Sequence, residues 1–268
     1  MSLRINTNVE AFNAHRQLSA TSDRLGKAME RLSSGYRINR AADDAAGLAI
    51  TEKLRGQIGG LEQAQRNAQD AISLVQTAEG NLQEVHSMLQ RVRELAVQYK
   101  NGSLSTTDKA AIQSEVNMLG SEVERIGSSA QFNGILLLSS AANITFQVGA
   151  QDGEVITVST ISLGAGVPPA AFQLGAASSD ISEIDAAIDA VSAQRAQFGA
   201  VQNRLEHTLS NLAVYNENLM ASESRIRDVD MAAEMVNFTK LQILQQSGTA
   251  MLAQANQTPQ SVLQLLKG

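Results

Sequence analysis

Seven apolar residues, Ile184, Val191, Phe198, Leu205, Leu212, Leu219 and Ile226, occupy every seventh position without a miss, and no proline interrupts them. An apolar residue once per heptad keeps to one side of a helix when that helix winds around a partner, so the segment is a coiled-coil seam. A helix of this length needs lateral support, because local propensity alone does not hold it in water. Four residues after the seam positions the pattern is mixed: Ile188 and Leu209 are apolar, whereas Arg195, Gln202, Asn216 and Glu223 are polar. The seam is therefore one-sided, and its polar members specify register as well as stability.

A matching stripe lies in the first half of the chain. Ile72, Val75, Ala78, Leu82, Val85, Leu89, Val92 and Ala96 alternate steps of three and four, and Leu54, Ile58, Leu61 and Ala68 extend the stripe upstream. This predicts a helix from 44 to 99, about 84 Å long at about 1.5 Å per residue. Gly59-Gly60 predicts bending or close packing within it, not a break. Beyond the cap chemistry of NGSLSTTD at 101–108, Ile112, Val116, Leu119, Val123 and Ile126 predict a shorter third helix.

The middle of the chain changes character. QFNGI at 131–135 carries an Asn-Gly turn, and the β-branched runs ITFQV at 144–148 and VITVS at 155–159 flank Gly149 and Asp152-Gly153, which predicts a small hairpin. GAGVPPAAFQLGAASSD at 164–180 reads as irregular. At the ends, Leu18, Leu25 and Leu32 keep a sparse heptad before Ser33-Ser34-Gly35, and a last helix after Asp228-Val229-Asp230 carries Met235, Phe238, Leu241 and Leu252. The order is nearly palindromic, so the two ends are expected to pair. The fold class is mainly α: long antiparallel coiled-coil helices from both chain halves, with a small β-hairpin region in the middle.

The residue inventory leaves little room for catalysis. No cysteine occurs in 268 residues, which excludes disulfides, thiolate nucleophiles and Cys-ligated metal. His15, His86 and His207 stand far apart on different predicted helices, and a Ser or Lys nucleophile would lack a base. Gly164-Ala165-Gly166 runs into Pro-Pro instead of a helix with Lys-Ser/Thr, so no phosphate-cradling loop is present. Aromatic residues are 3% and tryptophan is absent, leaving little bulky filler for a compact enzyme core. No catalytic residue, cofactor or metal is expected. Asp43 and Asp44, side by side in RAADDAAGLAI at 40–50, sit where a helix must start and read as caps for orphan backbone N–H groups. An acid/base or metal pair would need a further ligand, and no His or third carboxylate lies close by in sequence.

Charge and hydropathy limit the partners. The net charge is −6, yet residues 1–40 hold seven Arg or Lys against three acids, and the acidic excess falls on 41–230. The basic residues of that arm are scattered, with Phe12 and Tyr36 as its stacking aromatics, so no nucleic-acid partner is expected. No apolar run approaches the roughly 20 residues of a membrane span. MSLRINTNVEAFNAHRQL lacks the apolar core of a secretory signal, and by such signals alone the chain stays in the cytoplasm. LQRVRELAVQ at 89–98 reads as a solvated helix face around Leu89, Val92 and Ala96, with Leu95 beside the stripe and exposed one turn from Arg91.

Seven ordered blocks carry a family likeness. They are INTNVEAFNAHRQL near the start, LSSGYRINRAADDAAGLAI at 32–50, AQDAISLVQTAEGNLQEV at 68–85, LQRVRELAVQ at 89–98, QRAQFGAVQNRLEHTLSNL at 194–212, ESRIRDVDMAAEM at 223–235 and AMLAQANQTPQSVLQLL at 250–266. Together they resemble bacterial flagellin, the filament subunit of the flagellum, over about 3–137 and 184–266. The resemblance implies an inner terminal helical domain from 1–43 and 229–268 and an outer core domain from 44–228, with the hairpin region near 130–180 and Asp43 and Asp44 as cap and spoke between the two domains. The segment 138–183 is too short for a large variable outer domain, so the subunit resembles a minimal core.

The resemblance also implies transport without a cleaved signal, unfolded, through the flagellar type III system, which overturns the cytoplasmic expectation. It implies assembly at the filament tip for motility, outside the cell or in the periplasm of a spirochaete. Implied partners are further copies in a helical homopolymer, an export chaperone, cap and junction proteins, and host receptors. Among the last, the flagellin-sensing Toll-like receptor is expected at Arg91, Leu95 and Glu115. Val262, Leu263, Leu265 and Leu266 are expected to serve inner-domain assembly, and the C-terminal leucines to be read by the cytosolic inflammasome sensor. Thr258 and Pro259 predict the start of a final helical turn whose face carries Val262, Leu265 and Leu266. The rival readings are a hook–filament junction protein and a cytoplasmic coiled-coil scaffold. End segments with such thin apolar stripes are expected to order fully only when neighbouring copies cover them.

Overall fold

A computed structural model describes residues 7–167, 172–175 and 180–267, without the side chains of 165, 166, 180 and 258–267. Among the described residues, six helices and four short strands follow in the order α1 (Val9–Ser34), α2 (Ala45–Tyr99), α3 (Thr106–Ser129), β1 (Gln131–Phe132), β2 (Ile135–Leu136), β3 (Asn143–Gln147), β4 (Val155–Ser159), α4 (Leu163–Gly166), α5 (Asp180–Arg227) and α6 (Met231–Lys267). They form two compact units, Met1–Gly56 with Leu219–Gly268, and Gln57–Asn218.

In the unit Gln57–Asn218, α2 and α5 run antiparallel. Arg93 meets Asp185 at 2.6 Å and Arg195 meets Glu79 at 3.6 Å, so residue numbers rise on one helix as they fall on the other. The seam residues Ile184, Val191, Phe198, Leu205 and Leu212 are buried. Phe198 packs in one core with Leu74, Val75, Ala78, Leu82, Val85 and Leu89 of α2 and with Val123 and Ile126 of α3. The companions of the seam differ from the expected ones. Ala187 and Gln194, three residues after a seam position, are buried, whereas Ile188 and Arg195, four residues after, are half-buried. Gln194 keeps its polarity satisfied by donating to the Ser159 carbonyl at 2.8 Å, which ties α5 to β4.

Local chemistry sets the connections of this unit. Ser105 and Asp108 form a reciprocal capping box that starts α3. Asn133 and Gly134 take φ of 49° and 78°, the two positive values that a two-residue β1–β2 hairpin turn requires. β3 and β4 pair antiparallel from Asn143 opposite Ser159 to Gln147 opposite Val155, and Ile156 and Val158 point into the core. α2 passes Gly59-Gly60 unbroken. A Cβ on Gly60 would lie 3.1 Å from the Ala150 Cβ, so the close packing expected there is contact with the β3–β4 turn.

In the other unit, α1 and α6 pair antiparallel. The Asn8 side chain donates to the Ala255 carbonyl at 2.7 Å, and a Cβ on Gly248 would lie 3.2 Å from Leu18 Cδ1. The two breaks in the chain clasp each other. Gly35 ends α1 at a φ of 74°, the Arg37 amide donates to the Arg227 carbonyl at 2.7 Å, and the Val229 amide donates to the Gly35 carbonyl at 3.0 Å. The Arg227 guanidinium lies 4.5 Å from the centre of the Tyr36 ring. Leu219 and Ile226, the last seam residues, are half-buried, while Arg55 pairs with Glu223 at 3.6 Å and Arg227 with Glu52 at 3.5 Å. Against expectation, α6 continues through Thr258-Pro259 to Lys267 without a fresh start. Proline removes one amide from the ladder there, but the turns on either side retain theirs.

Candidate assembly surface

The pairing of α1 with α6 uses one thin stripe from each helix. Ala11, Ala14, Leu18, Thr21, Leu25 and Ala28 face inward on α1, and Phe238, Leu241, Gln245, Gly248, Leu252 and Ala255 on α6. Within these two helices only Ala28 and Leu241 are fully buried among the described residues. Small and polar residues occupy much of the stripe, so the pair gains little from the burial of apolar area. Large apolar side chains point elsewhere: Val236 is 72% and Phe12 70% exposed, and Met29, Met235, Ile243 and Met251 are also exposed. At about 100° per residue, Val236 and Ile243 lie on the side of α6 away from Leu241. A helix that is apolar around its circumference is built to be enclosed, and α1 encloses a single face of α6.

The adjacent carboxylates divide their work. Asp44 accepts from the Gly47 amide at 2.9 Å and caps α2. Asp43 turns the other way, accepting from the amides of Arg40 at 3.0 Å and Asn39 at 3.3 Å, so it stabilises the preceding turn and not the helix start. The Arg40 N–H holds the Asp43 carboxyl below its ordinary value, against the opposing effect of burial and with help from Asn39, Arg31 and Lys27. Gly47 is the residue that sequence reasoning misses here. A Cβ at that position would sit 2.6 Å from Asp44 Oδ2 and 2.7 Å from Ile38 Cδ1, so a side chain there would push the Asp44 carboxylate or the Ile38 side chain out of place. The available signal was a glycine in the first turn of a helix, three residues after an aspartate.

Arg91 forms the centre of an exposed ion-pair network. Its Nη2 lies 2.9 Å from Glu115 Oε1 across α2 and α3, and its Nη1 lies 3.2 Å from Glu94 Oε2. The hydrogen bond to Glu115 and then that to Glu94 raise the pKa of the guanidinium. The expected exposure of Leu95 does not occur. Leu95 is 2% exposed and packs with Val92, Ala96, Ile112, Val116 and Ile184. Both α3 and α5 cover this part of α2, which widens its interior from one stripe to the arc spanning 92, 95 and 96. Leu95 therefore supports the Arg91–Glu115 surface from beneath. The side chains of Val262, Leu263, Leu265 and Leu266 lie outside the described residues. Among the described residues no group of three or more His, Asp or Glu stands together as a metal site, and no helix is long and apolar enough to cross a membrane.

Residues 5–143 match the bacterial flagellin N-terminal helical region, and residues 181–266 the bacterial flagellin C-terminal helical region. The flagellin of Halalkalibacterium halodurans is 53% identical over 274 residues, covering 98% of this chain and 99% of that protein. The flagellar filament 33 kDa core protein of Treponema phagedenis is 48% identical over 284 residues, with 98% and 99% covered. The crystal structure of Bacillus cereus flagellin superposes with a TM-score of 0.51 at 32% identity, over 55% of this chain and 88% of that one.

Proposed function

The chain belongs to the bacterial flagellin family, and from that premise we propose how its two units serve a filament. As a flagellin it is a structural subunit that polymerises into the filament of the bacterial flagellum. The proposed division of labour is an inner domain from 1–43 and 229–268 that stacks with neighbouring copies, and an outer core from 44–228, with Asp43 and Asp44 fixing the chain where it passes from one to the other. The observation that carries this reading is the apolar surface of α1 and α6 left open in the single chain, above all Phe12, Val236 and Ile243. Neighbouring copies cover that surface, and the terminal helices gain most of their order in the same event.

The further parts of the reading follow from the family. The subunit is exported unfolded through the flagellar type III system, is held beforehand by an export chaperone, and adds at the tip beneath a cap protein, above junction proteins. It is a structural protein without enzymatic activity. The relatives include a flagellin and a flagellar filament core protein of Treponema species, so the filament lies outside the cell or, in a spirochaete, in the periplasm. Arg91 and Glu115 are proposed to contact the Toll-like receptor directly, with Leu95 holding them in place, and Val262, Leu263, Leu265 and Leu266 to serve inner assembly and the inflammasome sensor. The test is seeded polymerisation of purified protein. Wild type should elongate filament seeds, and Val236→Asp with Ile243→Asp should leave the protein monomeric with its outer core intact. Normal elongation by that variant would refute the assignment of the surface.

A further inference from the structure

We propose that Tyr36 and Arg227 are positioning residues for filament elongation: their clasp stays closed in the free subunit and presents α1 and α6 to the filament already side by side. The inference rests on the coupling of terminal folding to assembly. The clasp lies outside the thin stripe that pairs the two helices. Its backbone is a single antiparallel bridge, Tyr36 opposite Asp228, framed by the Arg37 amide on the Arg227 carbonyl at 2.7 Å and the Val229 amide on the Gly35 carbonyl at 3.0 Å. The Arg37 guanidinium adds a bond to the carbonyl of Ile226, 189 residues along the chain.

Side chains from the neighbouring helix ends lock this bridge. The Arg227 side chain is 14% exposed, lies 4.5 Å from the centre of the Tyr36 ring, and meets Glu52 at 3.5 Å and Glu223 at 3.6 Å. A guanidinium so far withdrawn from water gains more from a ring face and two carboxylates than an exposed one does. Ile38 is buried against Gly47 in the first turn of α2. Along α1 and α6, by contrast, only Ala28 and Leu241 are fully buried among the described residues. Local opening follows sparse burial, so the two helices open in the monomer while their roots stay joined.

The antiparallel α2 and α5 bring the two chain breaks close, but a break is not helical and sets neither the direction nor the register of the segment beyond it. The clasp sets both. With their roots held, the two segments act on each other at the high effective concentration of tethered partners. The costly first turn of each helix then starts from fixed residues, at Ser34 on one side and Met231 on the other, and pairing extends outward from there.

The test starts with amide exchange on dilute wild-type monomer, resolved to single residues by NMR. The Arg37 and Val229 amides should exchange at least about tenfold more slowly than those along α1 and α6. Tyr36→Cys with Asp228→Cys then puts the clasp under redox control in a chain that has no cysteine. A bridge framed in this way holds its Cα atoms about 4.5 Å apart, within disulfide reach. Reduced, the variant should elongate filament seeds at least about tenfold more slowly than wild type, and oxidised as dilute monomer by glutathione disulfide it should recover to within about twofold. Arg227→Met should also slow elongation, although Arg55 still pairs with Glu52 and Glu223, while Tyr36→Phe keeps the ring face and should restore the wild-type rate. Fast exchange at Arg37 and Val229 alongside fast terminal helices overturns the clasp alone. Wild-type elongation by the reduced double variant, or no gain on oxidation, does the same. Slow exchange along α1 and α6 in the monomer overturns the clasp and the coupled folding together.

Discussion

Phe198→Ala separates the two kinds of apolar residue in this chain. Phe198 is the largest fully buried side chain among the described residues and sits where α5, α2 and α3 share one core. Truncation removes the ring and leaves a cavity that surrounding helices fill only in part, so the loss is about 3–5 kcal/mol. For a unit of this size each kcal/mol moves the melting temperature by about 2–4 °C, which places the expected drop at roughly 6–20 °C. Phe12→Ala is the matched control. Its ring is largely exposed, so the same chemical change should shift monomer stability by about 0.5 kcal/mol or less. Seeded elongation should show the reverse order: Phe12→Ala slows growth severely, while Phe198→Ala elongates below its melting range. Thermal unfolding by circular dichroism and a sedimentation assay measure the two effects. Equal melting shifts for the two variants would refute the assignment of Phe198 to the core and of Phe12 to the assembly surface.

Three smaller perturbations test particular contacts. Gly47→Ala should destabilise the terminal unit by about 1–3 kcal/mol, since its methyl group meets Asp44 and Ile38, and amide exchange of the first turn of α2 reads the effect. The Asp43 carboxyl titrates below its ordinary value of 3.8, so its stabilisation is complete above that pH and is lost as pH falls through the lower folded value; Asp43→Asn should flatten that acid-side loss in an unfolding series. Gln194→Ala should cost about 1–3 kcal/mol by removing the donor to the Ser159 carbonyl, and a variant that melts like wild type would mean water replaces the amide.

The long helices were legible because each buries a stripe whose period matches its geometry. The unbroken heptad from Ile184 to Leu212 enters the core, and the Asn-Gly pair at 133–134 makes the tight turn its residues demand. What was hidden depends on the number of neighbours around a helix. A one-sided pattern places Leu95 at the edge of its stripe, but two covering helices bring that edge inside, and the same crowding selects Ala187 and Gln194 over Ile188 and Arg195 as companions of the seam. The opposite directions taken by Asp43 and Asp44 were equally unreadable, because which amide a carboxylate meets depends on the turn before it. The exposed apolar residues of α6 were visible as residues, but only the placement of α1 shows which of them remain uncovered.

The central claim is that the terminal helices become ordered through assembly. Amide exchange by mass spectrometry, on monomer and filament of the same protein, measures it most directly. In the monomer, peptides across α1 and from Met231 along α6 should exchange rapidly while the core of 57–218 stays protected, and in the filament the same terminal peptides should become protected. Monomer ends as slow to exchange as the core, or filament ends as fast as in the monomer, would contradict folding coupled to assembly.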